Sequence, residues 1–113
     1  MIIEKIGTRN TDFYRFCYRN KEHILDWDKG TPYKITDDTG TAVLILACRK
    51  YYNGRVRKWM FTEKTSGAGC SPDFNTQEEA LDWLKTMPMD RLWTGLKDFS
   101  AKFGKELERL LAE

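Results

Sequence analysis

The sequence predicts an α+β fold in which a small antiparallel β-meander of three to five strands packs against C-terminal helices. Two observations support this prediction. Strand-like runs at residues 42–52 and 55–64 flank the dipeptide Asn53-Gly54, which suits a two-residue hairpin turn because Asn and Gly accept a positive φ. Apolar residues then recur at helical spacing through residues 76–111, and these helices are expected to supply a layer that covers the sheet.

The N-terminal part of the chain contains one clear element and one ambiguous one. Residues 1–6 predict a short strand that Gly7 closes. Residues 11–27 fit either a helix with Thr11 as its N-cap or an aromatic-rich strand, since Phe, Tyr and Cys are poor helix formers. We favour the helix because the apolar periodicity holds across the whole segment. The residues on that helical face are Phe13, Phe16, Cys17, Ile24 and Trp27.

The middle of the chain predicts the meander. Pro32 starts an extended stretch at residues 33–36, and a turn at residues 37–40 connects it to the hairpin. Apolar residues lie on both faces near the base of the hairpin, so we expect both faces to be covered there and the basic tip to project beyond the core. The pairs expected across the turn are Tyr52 with Arg55, Cys48 with Trp59, and Leu46 with Phe61.

The last third predicts a small-residue loop and two helices. The loop covers residues 65–75. Thr76 and Glu79 have the spacing of a capping box, which begins a helix over residues 76–87 that ends at Pro88. A second helix is expected from about residue 90 to residue 111.

An apolar row follows the second helix at steps of three and four residues. We expect this helix stripe to dock on the sheet. The alternative is pairing with a second copy of the chain, giving a homodimer, or with another protein. The helix stripe consists of Leu92, Leu96, Phe99, Phe103 and Leu107.

Length and composition limit the class of protein. The 113 residues are expected to form a single domain, and a net charge of +2 means that any nucleic-acid site must come from local clustering of cations. Three cysteines without a C-x-x-C pair favour reduced thiols over a disulfide framework. No signal peptide is evident, and the longest apolar run, residues 42–48, is too short to cross a bilayer. We therefore expect a cytoplasmic protein with no membrane contact.

The tip of the hairpin is the strongest candidate site. Its cations could contact phosphates while its two tyrosines stack on bases or sugars. The alternative is structural, because Lys and Arg on exposed strands deter edge-to-edge aggregation. The candidate residues are Arg49, Lys50, Tyr51, Tyr52, Arg55, Arg57 and Lys58.

The meander and the helix after it resemble a known DNA-binding module in outline. Phe74, Thr76, Glu79, Ala80 and Trp83 follow the three strands in the order of a loop, a cap and a helix. Residues 33–87 are in this respect similar to the arm-DNA-binding domains of tyrosine recombinases. That resemblance implies a three-stranded sheet that reads DNA and a helix that supports it. It is an analogy of strand pattern and cap.

Catalytic and metal chemistry find little support. Asp38-Thr39-Gly40 resembles the Asp-Thr-Gly of retroviral-type aspartic proteases, but Asp37 precedes it where that family has apolar residues, so a turn is the better interpretation. A nucleophilic pair of Cys70 and His23 has no supporting motif. One His and three scattered Cys lack metal-ligand spacing, so neither a metal nor a cofactor is expected.

The sequence therefore favours a small non-enzymatic binding protein. The leading hypothesis is an accessory protein of a bacteriophage or mobile element that contacts nucleic acid through the hairpin tip. The alternative is a protein–protein interaction module, an inhibitor or adaptor that binds an acidic protein surface through the tip or another partner through the helix stripe.

Overall fold

The computed structural model describes residues 1–7, 10–40 and 43–113, and for Asn53 it describes the backbone alone. It is an α+β fold, as predicted: a curled antiparallel sheet followed by C-terminal helices. The predicted start of the hairpin at Ala42 lies outside the described residues. The elements are β1 (Ile2–Lys5), β2 (Thr11–Arg19), β3 (Glu22–Thr36), β4 (Val43–Asn53), β5 (Val56–Glu63), α1 (Gln77–Thr86) and α2 (Met89–Ala112).

The long strand β3 organises the sheet. Its second half, residues 31–36, pairs with β4 on one side, and residues 33–36 pair with β1 on the other. Its first half, residues 22–30, pairs with β2 instead. The ladder between β3 and β4 ends at the pair Thr31 and Cys48. Beyond this point β2–β3 and β4–β5 continue as two separate hairpins.

The prediction of a helix over residues 11–27 is wrong, because this segment belongs to the hairpin β2–β3. Asn20 and Lys21 form its turn with φ values of 51° and 65°, the left-handed conformation that a type I′ turn requires. Strand alternation places Tyr14 and Phe16 on opposite sides from Arg15. In the strand, the side chains on both faces of this segment contact other parts of the chain. A helix over residues 11–27 would have placed only one apolar face against the core.

One face of the sheet forms the core with the two helices. The apolar base predicted for the β4–β5 hairpin is confirmed on this face, and Trp59 is partly buried beside it. Coverage of the second face is only partial, since Ala47 is buried while Val43 at the base is 43% exposed. The buried core residues are Tyr33, Ile35, Leu44, Leu46, Cys48, Phe61, Ala80, Leu84 and Leu92.

The turn of the β4–β5 hairpin differs from the prediction by a shift in register. Asn53 pairs with Val56, so Gly54 and Arg55 are the two turn residues. Gly54 has a φ of 67°, as the first central residue of a type II′ turn requires. The expected partners are therefore replaced: Tyr52 pairs with Arg57, Cys48 with Phe61, and Leu46 with Glu63. Because the shift is two residues, each side chain keeps its predicted face.

The outer edge of β5 is covered by the segment that leads to α1. The backbone N–H and C=O of Trp59 exchange hydrogen bonds of 2.8 Å with those of Phe74. Closer to the base, the N–H of Cys70 donates to the carbonyl of Phe61 at 3.0 Å. Residues 68–74 therefore occupy an edge that would otherwise be open to another strand.

The predicted capping box begins α1 with one change. The Thr76 hydroxyl accepts a hydrogen bond from the Glu79 N–H at 3.1 Å, as expected. The Glu79 carboxylate accepts from the N–H of Asn75 at 3.2 Å, one residue before the N-cap. This cap fixes where α1 begins, and it thereby fixes Gln77 beside the sheet.

Candidate anion-binding site

The seven predicted tip residues divide between the two faces of the hairpin. Residues alternate in direction along a strand, and the observed register brings side chains of β4 and β5 together on each face. One face carries Arg49, Tyr51 and Lys58. The opposite face, continuous with the core face, carries Lys50, Tyr52 and Arg57, and Arg55 lies in the turn.

Arg49 is part of the interior. It is 6% exposed, and its Nη1 donates to Oδ2 of Asp28 at 2.9 Å. Its Nη2 donates to Sδ of Met60 at 3.4 Å, and its guanidinium lies 4.5 Å from the centroid of the Tyr51 ring. Because Asp28 belongs to β3, this ion pair joins the two hairpins where their ladder has ended. Arg49 has no free surface for an external ligand.

Tyr51 and Lys58 also contact their own chain. The pKa of Tyr51 is raised mainly by desolvation, and to a smaller extent by a hydrogen bond to Asp73 and by the negative charge of Asp73. The positive charge of Arg49 lowers it and so opposes this shift. Nζ of Lys58 donates to Oδ1 of Asn75 at 2.6 Å. These contacts hold the hairpin to the segment before α1. Both cations of this face are thus held by their own chain, Arg49 by the carboxylate of Asp28 and Lys58 by the amide of Asn75.

The cations of the other face make no such contacts in the described part of the chain. Among the residues that the structure describes, no carboxylate lies within 4.0 Å of the charged groups of Lys50, Arg55 or Arg57, all of which are exposed. Tyr52 is 64% exposed. The register places Lys50 opposite Trp59 and Tyr52 opposite Arg57. Each cation therefore has an aromatic residue directly across the ladder. We call Lys50, Tyr52, Arg55, Arg57 and Trp59 the open face.

A groove adjoins the open face where β3 separates from β4. Its volume is about 280 Å³. Sequence reasoning missed it because its lining comes from five separate segments of the chain, and a sequence holds no local signal that such segments meet. The groove is lined by Asn10, Lys29, Gly30, Thr31, Cys48, Lys50, Trp59 and Gln77.

Two hydrogen bonds position polar side chains of the groove. The Thr31 hydroxyl donates to Oδ1 of Asn10 at 2.9 Å, and Nε2 of Gln77 donates to the hydroxyl of Tyr33 at 3.3 Å. In both amides the other heteroatom takes no hydrogen bond within the described part of the chain. Asn10 therefore keeps an N–H₂ donor group and Gln77 keeps a carbonyl acceptor.

The helix stripe packs inside the chain. Leu92 is buried, and Leu96 packs against the same core. The rings of Phe99 and Phe103 lie 5.4 and 5.5 Å from that of Phe16 on β2. The ring of His23 stacks on Phe16 at 4.7 Å and lies 5.2 Å from Phe103. Leu107, further along α2, is half-buried.

In the described structure, the residues considered for catalysis make contacts other than a nucleophile–base pair. Burial raises the pKa of the Cys70 thiol to about 12, so the thiolate is scarce at neutral pH, and its Sγ lies 3.6 Å from the carbonyl oxygen of Phe61. No hydrogen bond joins Cys70 to His23 in residues 1–7, 10–40 and 43–113. The N–H of Gly40 donates to the carbonyl of Asp37 at 3.1 Å, which makes the Asp-Thr-Gly sequence a turn. The described residues include no cluster of metal-ligating side chains.

Comparisons of the chain with protein-family models, with curated proteins and with solved structures find no match. The outline similarity to arm-DNA-binding domains therefore gains no support from them. No helix in the described part of the chain is both long and apolar enough to cross a membrane. The case for a function rests on the open face and the groove.

Proposed function

We propose that this protein binds nucleic acid through the open face of the β4–β5 hairpin. The observation that carries the proposal is the difference between the two faces of that hairpin. On one face Arg49 pairs with Asp28 and Lys58 donates to Asn75, whereas the side chains of Lys50, Arg55 and Arg57 form no hydrogen bond or ion pair among the described residues. Uncompensated cations attract a polyanion, and phosphates are the commonest partners of such residues in nucleic-acid complexes.

Protection of a sheet edge explains only some of these cations. Charged residues protect an edge whose backbone groups are unpaired. Arg57 lies on β5, and the outer edge of β5 already pairs with residues 68–74, most closely through Trp59 and Phe74. Arg57 lies two residues beyond Trp59, and Lys50 lies on the edge of β4 where the ladder with β3 has ended, so edge protection can apply to both; it gives no account of Arg55 in the turn.

A protein partner bound through α2 is also less well supported. The helix stripe was the basis of that alternative, and its residues pack against the core and against Phe16. A ligand of the open face would in contrast meet cations that form no ion pair in the described structure, among them Arg57, whose guanidinium lies 5.9 Å from the centroid of the Trp59 ring.

The test is a binding measurement on a charge-reversal variant. Fluorescence anisotropy with labelled oligonucleotides should show that wild type binds and that its affinity falls steeply between 50 and 200 mM salt, because phosphate contacts release counterions. Arg55→Glu combined with Arg57→Glu should weaken binding by about 10-fold or more and lower the salt slope by about two. Both positions are exposed, so stability should change by no more than about 0.5 kcal/mol.

A matched control separates a site from general charge. Lys97→Glu combined with Lys105→Glu changes net charge equally on exposed positions of α2. This variant should bind nearly as well as wild type. Absence of binding by the wild type, or equal losses in the two double variants, would overturn the proposal.

A further inference from the structure

We infer that the bound nucleic acid is single-stranded and that it passes from the open face into the groove between β3 and the start of α1. This inference rests on the proposed function and assigns it a substrate class. It adds residues outside the hairpin to the site: Lys29 and Thr31 on β3, Asn10 before β2, and Gln77 on α1.

The exposed aromatic ring favours a single strand. Tyr52 is 64% exposed beside two cations of the open face, Lys50 two residues away and Arg57 directly opposite. An aromatic ring can stack only on a base whose face is free, and the bases of a duplex cover one another's faces. Tyr52 would therefore contribute to the binding of a single strand and little to the binding of a duplex.

The shape of the groove supports the same conclusion. A cavity of about 280 Å³ can take an isolated base or sugar, but it cannot enclose a double helix. A duplex is instead read by an element that protrudes into its major groove, which is about 12 Å wide. Lys29 and Lys50, together with half-buried Trp59, line a concave site rather than a protruding one.

The groove also carries the groups that a splayed base needs. The N–H₂ of Asn10 and the carbonyl of Gln77, which form no hydrogen bond with the described residues, offer a donor and an acceptor to a base edge. Lys29 lies opposite Asp12 in the β2–β3 ladder, yet no ion pair within 4.0 Å joins the two charges in the described structure. Its ammonium group is therefore available for a phosphate.

The substrate class is tested by comparing one labelled oligonucleotide before and after hybridisation to its complement. Wild type should bind the single strand at least 10-fold more tightly than the duplex. Tyr52→Ala should weaken single-strand binding by about 5- to 150-fold, the range expected for one lost stacking contact, while Tyr52→Phe should retain most of the affinity. Neither change should alter the weaker binding to duplex.

The path through the groove is tested with Lys29→Glu. This variant should weaken single-strand binding by about 10-fold, whereas Lys97→Glu on α2 should have little effect. Equal or tighter binding of the duplex, or an unchanged affinity of both Tyr52→Ala and Lys29→Glu, would overturn the inference. If either result is obtained but the Arg55 and Arg57 double variant still loses binding, the proposed function is supported and only the substrate class is overturned. No binding of either oligonucleotide by wild type would overturn both.

Discussion

Arg49 shows how the same residue type can serve the fold or a ligand within one hairpin. It lies one position before Lys50, yet its guanidinium is buried against Asp28 while Lys50 is exposed. The alternation of the strand creates this difference, because it directs Arg49 towards the β2–β3 hairpin. At the level of single residues, a cation is available to a ligand when no side chain of its own chain holds its charged group.

The Arg49–Asp28 pair gives an asymmetric prediction for stability. The Asp28 side chain is 33% exposed and also lies 3.8 Å from Nε of Arg15, whereas the Arg49 side chain is 7% exposed. Asp28→Ala leaves a buried cation without its carboxylate and should cost about 2–3 kcal/mol of unfolding free energy. Arg49→Met leaves a carboxylate that water and Arg15 still reach, and it should cost about 1 kcal/mol or less.

Urea unfolding of the two variants beside wild type measures this asymmetry. Lys34→Ala on β3 is a suitable control, since Lys34 is exposed. Equal costs for the two substitutions, or a larger cost for Arg49→Met, would show that Arg49 is not held by Asp28 as described.

The candidate site could be predicted only in part from its residues. The cluster of cations and tyrosines around the hairpin turn is local, so the sequence revealed it. Which of them are compensated depends on partners such as Asp28, 21 positions away from Arg49 in the chain. The groove depends on Lys29, Lys50 and Gln77 meeting, and no spacing in the sequence predicts that.

At the level of elements, the local sequence pattern gave the wrong structure for residues 11–27, where the apolar residues fit both the helical and the strand period. Phe13, Phe16 and Cys17 fit a helical face, but the strand that exists places Phe16 opposite Leu25 on one face and Arg15 opposite Asp26 on the other. Arg15 forms an ion pair with Asp26 across the ladder. The pairing of opposite charges around the Asn20-Lys21 turn indicates a hairpin. It can be recognised only when the register of the two strands is known, and the sequence alone does not give that register. The predicted bounds of β1, β4, β5, α1 and α2 lie within one or two residues of the observed ones. The strand predicted to start at Pro32 instead begins at Glu22, because its first half pairs with β2.

The turn of the β2–β3 hairpin provides a prediction at this scale. Lys21 has a φ of 65°, a conformation that costs a residue with a Cβ atom about 1–2 kcal/mol. Lys21→Gly removes that cost and adds some entropy to the unfolded chain, so it should stabilise the protein by about 0.5–1 kcal/mol. The resulting Asn-Gly sequence is the preferred one for a type I′ turn.

Lys21→Ala distinguishes the backbone effect from the effect of charge. It removes the same ammonium group but retains a Cβ atom, and it should not stabilise the protein. Thermal and urea unfolding of both variants measure the difference. A stabilisation by Ala as large as that by Gly would attribute the effect to charge and contradict the argument from φ.

In the whole molecule, α2 joins the two parts into which the sheet divides. Leu92 and Leu96, near its start, pack against the core of the main sheet. Phe99 and Phe103, further along, contact Phe16 on the β2–β3 hairpin. The same apolar row that suggested a dimer interface thus has intramolecular partners along most of its length. We expect this arrangement to set the angle between the two hairpins, and with it the width of the groove at their junction.

We therefore expect the wild-type chain to be a monomer by size-exclusion chromatography with light scattering. Phe103→Asp should release the β2–β3 hairpin from α2 and destabilise the protein by about 2–3 kcal/mol, because a half-buried ring is lost and a charge replaces it. Leu111→Asp is the matched control on the same helix, since Leu111 is 50% exposed and should tolerate the change.

Hydrogen exchange locates the effect of Phe103→Asp. Protection should fall in β2 and in the last turns of α2 and persist in β4 and β5, because α2 contacts the main sheet through Leu92 and Leu96, which the substitution leaves in place. A wild-type dimer that Phe103→Asp converts to a folded monomer with unchanged protection in β2 would contradict this account. In that case the stripe would face a second chain, and the angle between the hairpins would have to be set by the Arg49–Asp28 pair instead.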